Sequence, residues 1–397
     1  MRVLMLNNEY PPLGGGTGSV NQAILSALAQ SEGLTIDLIT SSASSRSEEV
    51  RPSSTVRIIR LAIGTRNLHH ATNRELMTYG ARALWRALRL HRAKPYDLCL
   101  AWSALPAGVV ALGLRRLTGL RYIVRVCGPD IPGFEQRYTT VYRILGPLIR
   151  AVWLGGEVVI AKSDGERAMI RRIEPKAQVQ IIENGVDLAA FSPGHAIPGD
   201  ERLRLLCVAR LIERKGQQHL LEAMNLVLKQ GVDVALTLIG TGDAEQERRN
   251  QAARLGLTGR VHFAGYVPRE EIAAWYRAAD AFVLPSYNEG MSVATLEAMA
   301  AGLPIVCSRA HGLAELISDG VNGFTCEWDD VAGLAAHIRR LAGDRRLARQ
   351  MGAASRNHAS RFTWESATSR YLQLFTALAP QAARTSTERG AALTRGG

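Results

Sequence analysis

The sequence predicts an α/β protein of two doubly wound, parallel-sheet domains with a cleft between them, and three observations predict it. Short apolar runs alternate with helical patterns along nearly the whole chain, as buried parallel strands and their covering helices do. The alternation breaks at the Pro- and Gly-rich stretch FSPGHAIPGD, residues 191–200, and then restarts. At 397 residues the chain is too long for one ordinary domain and suits two of moderate size.

In the first half the strand candidates are 3–6, 35–39, 56–61, 98–101, 122–126 and 158–160, each a short apolar run rich in β-branched residues or Leu. A further run at 179–182 leads into the turn Asn184-Gly185. The second half supplies 203–208, 235–239, 261–264, 281–284 and 305–307. These runs place domains at 1–190 and 195–363, with the linker in 191–200. The last long helical pattern, 364–378, precedes a tail from Pro380 that is rich in Ala, Thr and Arg and is expected to be disordered over 381–397.

Composition narrows the class. Hydrophobic content of 47% with 21% charged residues describes a globular chain with a sizeable core. No run approaches the ~18 apolar residues of a membrane span, and the apolar run before Asn7 is too short for a signal-peptide core. The five cysteines are scattered without CxxC spacing, which points to a reducing, cytoplasmic compartment. The net charge of +12 is uneven: residues 1–190 hold 24 Lys/Arg against 15 Asp/Glu, and residues 191–397 hold 24 against 21. Nucleic acid, an anionic membrane surface and an acidic substrate all answer to that excess.

The richest segment runs from Ala281 to Pro304, AFVLPSYNEGMSVATLEAMAAGLP. A strand ends in a sharp turn carrying Glu289 and Gly290, and a helix beginning at Ser292 carries Glu297 eight residues after the first acid. A helix N-terminus beyond a strand end favours a phosphate, while two carboxylates accept hydrogen bonds from vicinal diols. A sugar nucleotide offers both. Arg210 ends the strand LRLLCVAR and Lys215 follows as the next helix begins, a pair suited to a diphosphate and to charge building on a departing phosphate. Gly240 and Gly242 close the next strand in a tight turn, and Tyr266-Val267 follow another, where exposed backbone could read a base. No Asp-x-Asp occurs, so no carboxylate pair of that kind is present to hold a metal on a nucleoside diphosphate.

In the first half, Gly14, Gly15 and Gly16 follow the first strand and let backbone amides approach a ligand. The loop is not GxGxxG followed by an acidic strand end, so a dinucleotide-dependent dehydrogenase is disfavoured. Cys127-Gly128-Pro129-Asp130 follows the strand YIVRV. His69-His70 precede a helical pattern with Met77, Ala81, Leu84 and Leu88 on one face and Arg82, Arg86 and Arg89 opposite, read either as a solvated basic face or as a patch for anionic lipid or a lipid-diphosphate acceptor.

The blocks VARLIERKG, FAGYVPREEI with AADAFVLPSYNEG, and SVATLEAMAAGLPIV resemble the GT-B glycosyltransferases of retaining family 4, the Glu-x7-Glu type also called glycosyl transferases group 1. The likeness runs from the glycine loop at 13–18 to 364–378. It implies two Rossmann-like domains, the first receiving the acceptor and the second the nucleotide-sugar donor, with the final helix crossing back to complete the first as far as 380. It implies that Glu289 meets the donor sugar's hydroxyls with the amides of Gly290 and Met291, Glu297 the ribose, and Arg210 and Lys215 the diphosphate, with Gly15 and Gly16 beside the donor phosphates and acceptor. Cys127 stands where many members have a sugar-contacting His, leaving Asp130 as the expected polar contact. The activity implied is metal-independent transfer of a hexose from a nucleoside diphosphate sugar to an acceptor hydroxyl with retention, needing no cofactor and no nucleic acid. The acceptor would be a sugar, polysaccharide or lipid-linked precursor of cell-envelope polysaccharide, lipopolysaccharide or glycolipid, handled in the cytoplasm or peripherally on the membrane's inner face. A non-catalytic partner subunit and a sugar-nucleotide epimerase of the same architecture are the alternatives.

Overall fold

The structure, a computed structural model, describes residues 1–65, 67, 71–194 and 202–379. His69-His70, the later part of the expected linker and the tail from Pro380 lie outside the described residues. The chain forms two compact units. One comprises Met1–Lys162, Glu166–Ile182 and the segment from Trp364, and the other comprises Ser163–Gly165 and Glu183–Thr363. The chain leaves the first unit at Ile182, earlier than the linker expected at 191–200, because Val186 and Phe191 already pack in the second unit's core.

In the first unit the order is β1 (Arg2–Leu6), α1 (Gly16–Leu28), β2 (Thr35–Ser41), β3 (Glu48–Val50), β4 (Val56–Leu61), α2 (Asn73–Ala93), β5 (Leu98–Trp102), α3 (Val109–Thr118), β6 (Tyr122–Arg125), α4 (Thr139–Gly155), β7 (Val158–Ala161), α5 (Asp164–Ile173) and β8 (Val179–Ile181). The sheet runs β3-β4-β2-β1-β5-β6-β7-β8, parallel throughout except that β3 lies antiparallel to β4. Because side chains alternate across a strand, Leu4 and Leu6 join Tyr79, Ala83 and Val152 of the helix layer on one face. Met5 turns to the other, where Asn21 of α1 donates to its Sδ at 3.2 Å.

The second unit follows with β9 (Leu203–Val208), α6 (Gln217–Lys229), β10 (Val234–Ile239), α7 (Glu245–Arg254), β11 (Val261–Gly265), α8 (Ile272–Ala278), β12 (Ala281–Leu284), α9 (Val293–Ala300), β13 (Ile305–Ser308), α10 (His311–Ala314), β14 (Gly323–Cys326), α11 (Val331–Gly343) and α12 (Arg345–Ala359). Its sheet, β11-β10-β9-β12-β13-β14, is wholly parallel. The final helix, α13 (Trp364–Leu378), belongs to the first unit and packs beside α1. Strand order reverses between β1 and β5 in one sheet and between β9 and β12 in the other, and ligands of doubly wound folds bind beyond the carboxyl ends at such points.

Helix α2 sits differently from its expected orientation. It opens with a capping box, Thr72 and Glu75 each holding the other's backbone amide. It buries Tyr79, Ala83 and Ala87, leaves Met77 and Ala81 exposed, and half-buries Leu84 and Leu88. Small alanines let the helix approach the sheet closely, and the Tyr79 hydroxyl donates to the Ile39 carbonyl at 2.9 Å. That buried polar bond, invisible to a count of apolar spacing, turns the helix.

Candidate active site

At the switch point of the second sheet, β9 and β12 send their following loops to the same place. The turn after β9 carries Arg210, Arg214 and Lys215 and ends at Gly216, whose φ of +71° favours glycine. A Cβ there would strike the Pro285 carbonyl, so the β9 turn lies directly against the loop leaving β12. This close approach brings Lys215 to Glu289. The Lys215 ammonium pairs with Glu289 Oε1, Arg214 stands 3.9 Å from the same oxygen, and the Ser286 hydroxyl donates to it at 3.2 Å. Arg214 also donates to the Asn288 carbonyl, and Ser308 donates to that of Ser286. The loop is thus held by β13 as well as by β9.

Glu289 is only 8% exposed. Burial alone would raise its pKa, but the charges of Lys215 and Arg214 and the hydrogen bonds from Lys215 and Ser286 hold the carboxyl below its ordinary range. Burial, with Arg214 and Arg210 opposing Glu289, pulls the Lys215 ammonium below its usual value. Arg210 itself is exposed, its carbonyl accepting from Gln217 at 3.0 Å. The result is an ionised carboxylate set among three cations, one of which faces outward.

Glu297 occupies a separate setting. It lies in α9, whose first turn is capped by Ser292 accepting from the Thr295 amide at 3.2 Å. Its carboxylate is 3% exposed, pairs with Arg269 and accepts from the Tyr276 hydroxyl at 3.0 Å. Burial outweighs those partners and raises its pKa. Arg269 comes from the segment after β11 that also carries the exposed Tyr266 and the half-buried Val267, so that segment and α9 share one corner. Met291, between the two glutamates, is buried, and its carbonyl accepts from Asn184 at 2.9 Å. Gly290 lies so close to Gly312 that a side chain on Gly312 would strike its carbonyl. The expected set omitted Arg214, Arg269, Tyr276 and Asn184, although Arg214 stands next to Lys215 and Arg269 follows Tyr266-Val267-Pro268 in sequence.

The glycines divide by role. Gly240 has φ +128°, and a Cβ there would meet the Ala209 carbonyl, so the backbone there requires glycine. Gly15 and Gly16, beyond β1 of the first unit, have no atom within 4 Å of a built Cβ. Their surroundings leave space rather than demand its absence.

Asp130 departs from its expected role as an outward polar contact. It is buried, its two carboxylate oxygens accept from the Ala104 and Cys127 amides at 2.7 Å each, and burial raises its pKa. It ties the β5 and β6 loops together from within. Cys127 beside it has its thiol pushed up to about 12 by burial, with Asp130 adding to the effect, which leaves no thiolate nucleophile at neutral pH. Of the arginines on α2, Arg82 donates to the Ala62 carbonyl, Arg86 pairs with Glu49 and Arg89 stacks on Trp85 at 5.7 Å.

Comparison with known proteins resolves the class. Residues 191–358 match the family model for glycosyl transferases group 1, and residues 15–185 match that for the glycosyl transferase 4-like domain. The chain belongs to the group 1 glycosyltransferases, with the GT-B fold. It is 27% identical over 390 residues to a GDP-mannose-dependent alpha-(1-6)-phosphatidylinositol monomannoside mannosyltransferase of Mycolicibacterium smegmatis, covering 94% of this chain and 97% of that protein. Sucrose-phosphate synthase from Thermosynechococcus elongatus superposes with a TM-score of 0.84 at 25% identity, over 95% of this chain and 99% of that one. Anabaena HepE, solved with UDP-glucose, superposes with a TM-score of 0.74 at 20% identity, over 95% and 100% of the two chains. As a group 1 glycosyltransferase, the chain carries its two acidic positions on the two sides of one βα unit, β12 and α9.

Proposed function

We propose that this group 1 glycosyltransferase transfers a hexose, with retention, from a nucleoside diphosphate sugar to an acceptor hydroxyl in glycolipid or cell-envelope polysaccharide synthesis. The observation that carries the reading is the cluster of Glu289, Lys215, Arg214 and Arg210 at the switch point of β9 and β12. Arg210 and Lys215 take the diphosphate and neutralise the charge that grows on it as the glycosidic bond breaks. With cations in that role, a divalent metal is dispensable. Glu289, kept ionised, accepts from the sugar hydroxyls and stabilises positive charge developing at the anomeric carbon. Glu297 accepts from the ribose diol, its half-exposed partner Arg269 yielding that oxygen. The leaving phosphate departs from the face that the acceptor attacks, and it takes the acceptor's proton, so that bond breaking, bond making and proton transfer balance without an enzymic nucleophile. The mannosyltransferase relative and the UDP-glucose complex support a hexosyl donor, and the relative's phosphoinositide substrate supports a lipid-linked acceptor.

The test is turnover of a donor panel led by GDP-mannose and UDP-glucose, with and without excess chelator, and NMR assignment of the product anomer. Donor hydrolysis that survives chelator and a product of unchanged anomeric configuration are expected. An inverted product, or activity abolished by chelator, sinks the respective part.

A further inference from the structure

The stretch leading from β12 into α9 breaks its own burial pattern at one residue. From Ala281 to Ser292 every residue is buried except Tyr287, which is 37% exposed and stands two residues before Glu289. Its backbone is fixed, since the Tyr287 amide donates to the Arg214 carbonyl at 2.8 Å and Arg214 donates back to the Asn288 carbonyl. Its ring meets Trp328 edge-on, with centroids 5.1 Å apart and planes at 82°. The same indole meets the His219 ring at 4.9 Å and 80°. Both contacts have the edge-to-face form that ring quadrupoles favour.

His219 lies in the first turn of α6, four residues after Lys215. Trp328 therefore touches a near neighbour of each member of the Glu289–Lys215 pair, one on the β12 loop and one on α6. It comes from a third element. The Asp330 amide donates to the Glu327 carbonyl at 3.1 Å and closes a turn between β14 and α11 that carries Trp328 at its second position. Asp330 then caps α11 by accepting from the Gly333 amide at 2.8 Å, and α11 packs along α6. Glu327, Asp329 and Asp330 are exposed, so of that turn's four residues only the half-buried indole reaches inward, and it reaches these two rings.

We propose that Trp328 is a positioning residue for the donor chemistry. Wedged between Tyr287 and His219, it holds the elements carrying Glu289 and Lys215 in register while both charges turn to substrate. The need for such a brace follows from the ion pair itself. When a diphosphate takes the Lys215 ammonium, the direct tie from Lys215 to Glu289 is given up, whereas the ring contacts use no charge and persist. The inference rests on the roles given above to Glu289 and Lys215.

Steady-state donor hydrolysis tests it. Trp328→Ala should lower kcat about tenfold, because small misplacements of reacting groups are costly, with the donor KM changed less than about threefold. Trp328→Phe keeps a ring edge and should recover kcat to within about threefold of wild type. Tyr287→Ala removes an exposed ring, leaves the core intact and should reproduce the loss, so it decides the matter even where Trp328→Ala melts below the assay temperature. The double variant Trp328→Ala/Tyr287→Ala should lose no more than either single one, since the two rings act as one link. Wild-type kcat in the folded single variants, with or without a lowered melting temperature, would reduce Trp328 to packing and overturn the proposal. Losses that multiply in the double variant would overturn it too. Glu289→Gln is the reference: a loss seen there alone removes the brace and leaves the site's chemistry standing, whereas wild-type kcat in Glu289→Gln removes the role of Glu289 itself.

Discussion

Two glutamates eight residues apart, in one unit and both buried, are pushed in opposite directions by their neighbours. Glu289 faces Lys215, Arg214 and Ser286, which hold it below the ordinary carboxyl range. Glu297 faces one half-exposed arginine and a tyrosine, and burial drives it above that range. The difference teaches that burial decides nothing by itself; the number of fixed donors and cations around the carboxylate does. Glu289 is built to be a charge, and Glu297 to be a hydrogen-bonding group whose charge is lightly held.

The largest expected effect follows from that division. Glu289→Gln keeps the shape and removes the charge, so kcat should fall by about a hundred- to a thousandfold, the scale seen when a group acting on transition-state charge is lost. Glu297→Gln should raise the donor KM by about tenfold with kcat nearly unchanged, as loss of uniform binding does. Steady-state kinetics on both variants reads the split directly. If Glu297→Gln lowers kcat as much as Glu289→Gln does, the two acids share one role and the comparison fails.

A smaller effect should appear in stability against pH, and its sign separates the two sites. Glu289 has a folded pKa below the ordinary 4.5, so its contribution is present above 4.5 and is lost as pH falls through the lower value. Glu297 has a folded pKa above 4.5, so its contribution is full below 4.5 and is lost as pH rises through the higher value. The melting difference between Glu289→Gln and wild type should therefore become more unfavourable as pH rises towards 4.5. That for Glu297→Gln should become more favourable as pH rises above 4.5. Each change is readable by thermal melts in matched buffers. Parallel slopes for the two variants would contradict the assignment.

Much of this was legible in the sequence, and the gaps have physical causes. Twelve strands announce themselves through short runs of Val, Ile and Leu. The two among the described residues that do not are β3, which is charged, exposed and paired along its length with β4, and β14, which begins with a glycine pressed against the Ile305 carbonyl. Glu289 and Lys215 are both visible as chemistry-bearing residues, yet 74 residues separate them and only the closure of Gly216 on Pro285 makes them a pair. Asp130 misled because a carboxylate in a glycine-rich loop reads the same whether it points at a ligand or at its own backbone amides. Helix α2 misled because a buried tyrosine with a hydrogen-bonded hydroxyl outranked the apolar spacing around it.

The smallest effect is the sharpest probe of Glu297. Tyr276 is fully buried between α9 and the sheet, and its hydroxyl lies 3.1 Å from the Ala294 carbonyl and 3.0 Å from Glu297. Tyr276→Phe preserves the ring that stacks on Phe282 and packs against Phe191, and removes only the hydroxyl. The cost to stability should be about 1 kcal/mol, since one shared hydrogen bond is lost inside an otherwise unchanged core. Without that donor, the folded pKa of Glu297 rises further. Donor KM should then rise about threefold, and the rise should shrink as pH is raised, with kcat unmoved. A variant that loses stability alone, with a KM identical to wild type at every pH, would confine Glu297 and Tyr276 to packing and leave Glu289 as the one acid of the pair that meets substrate.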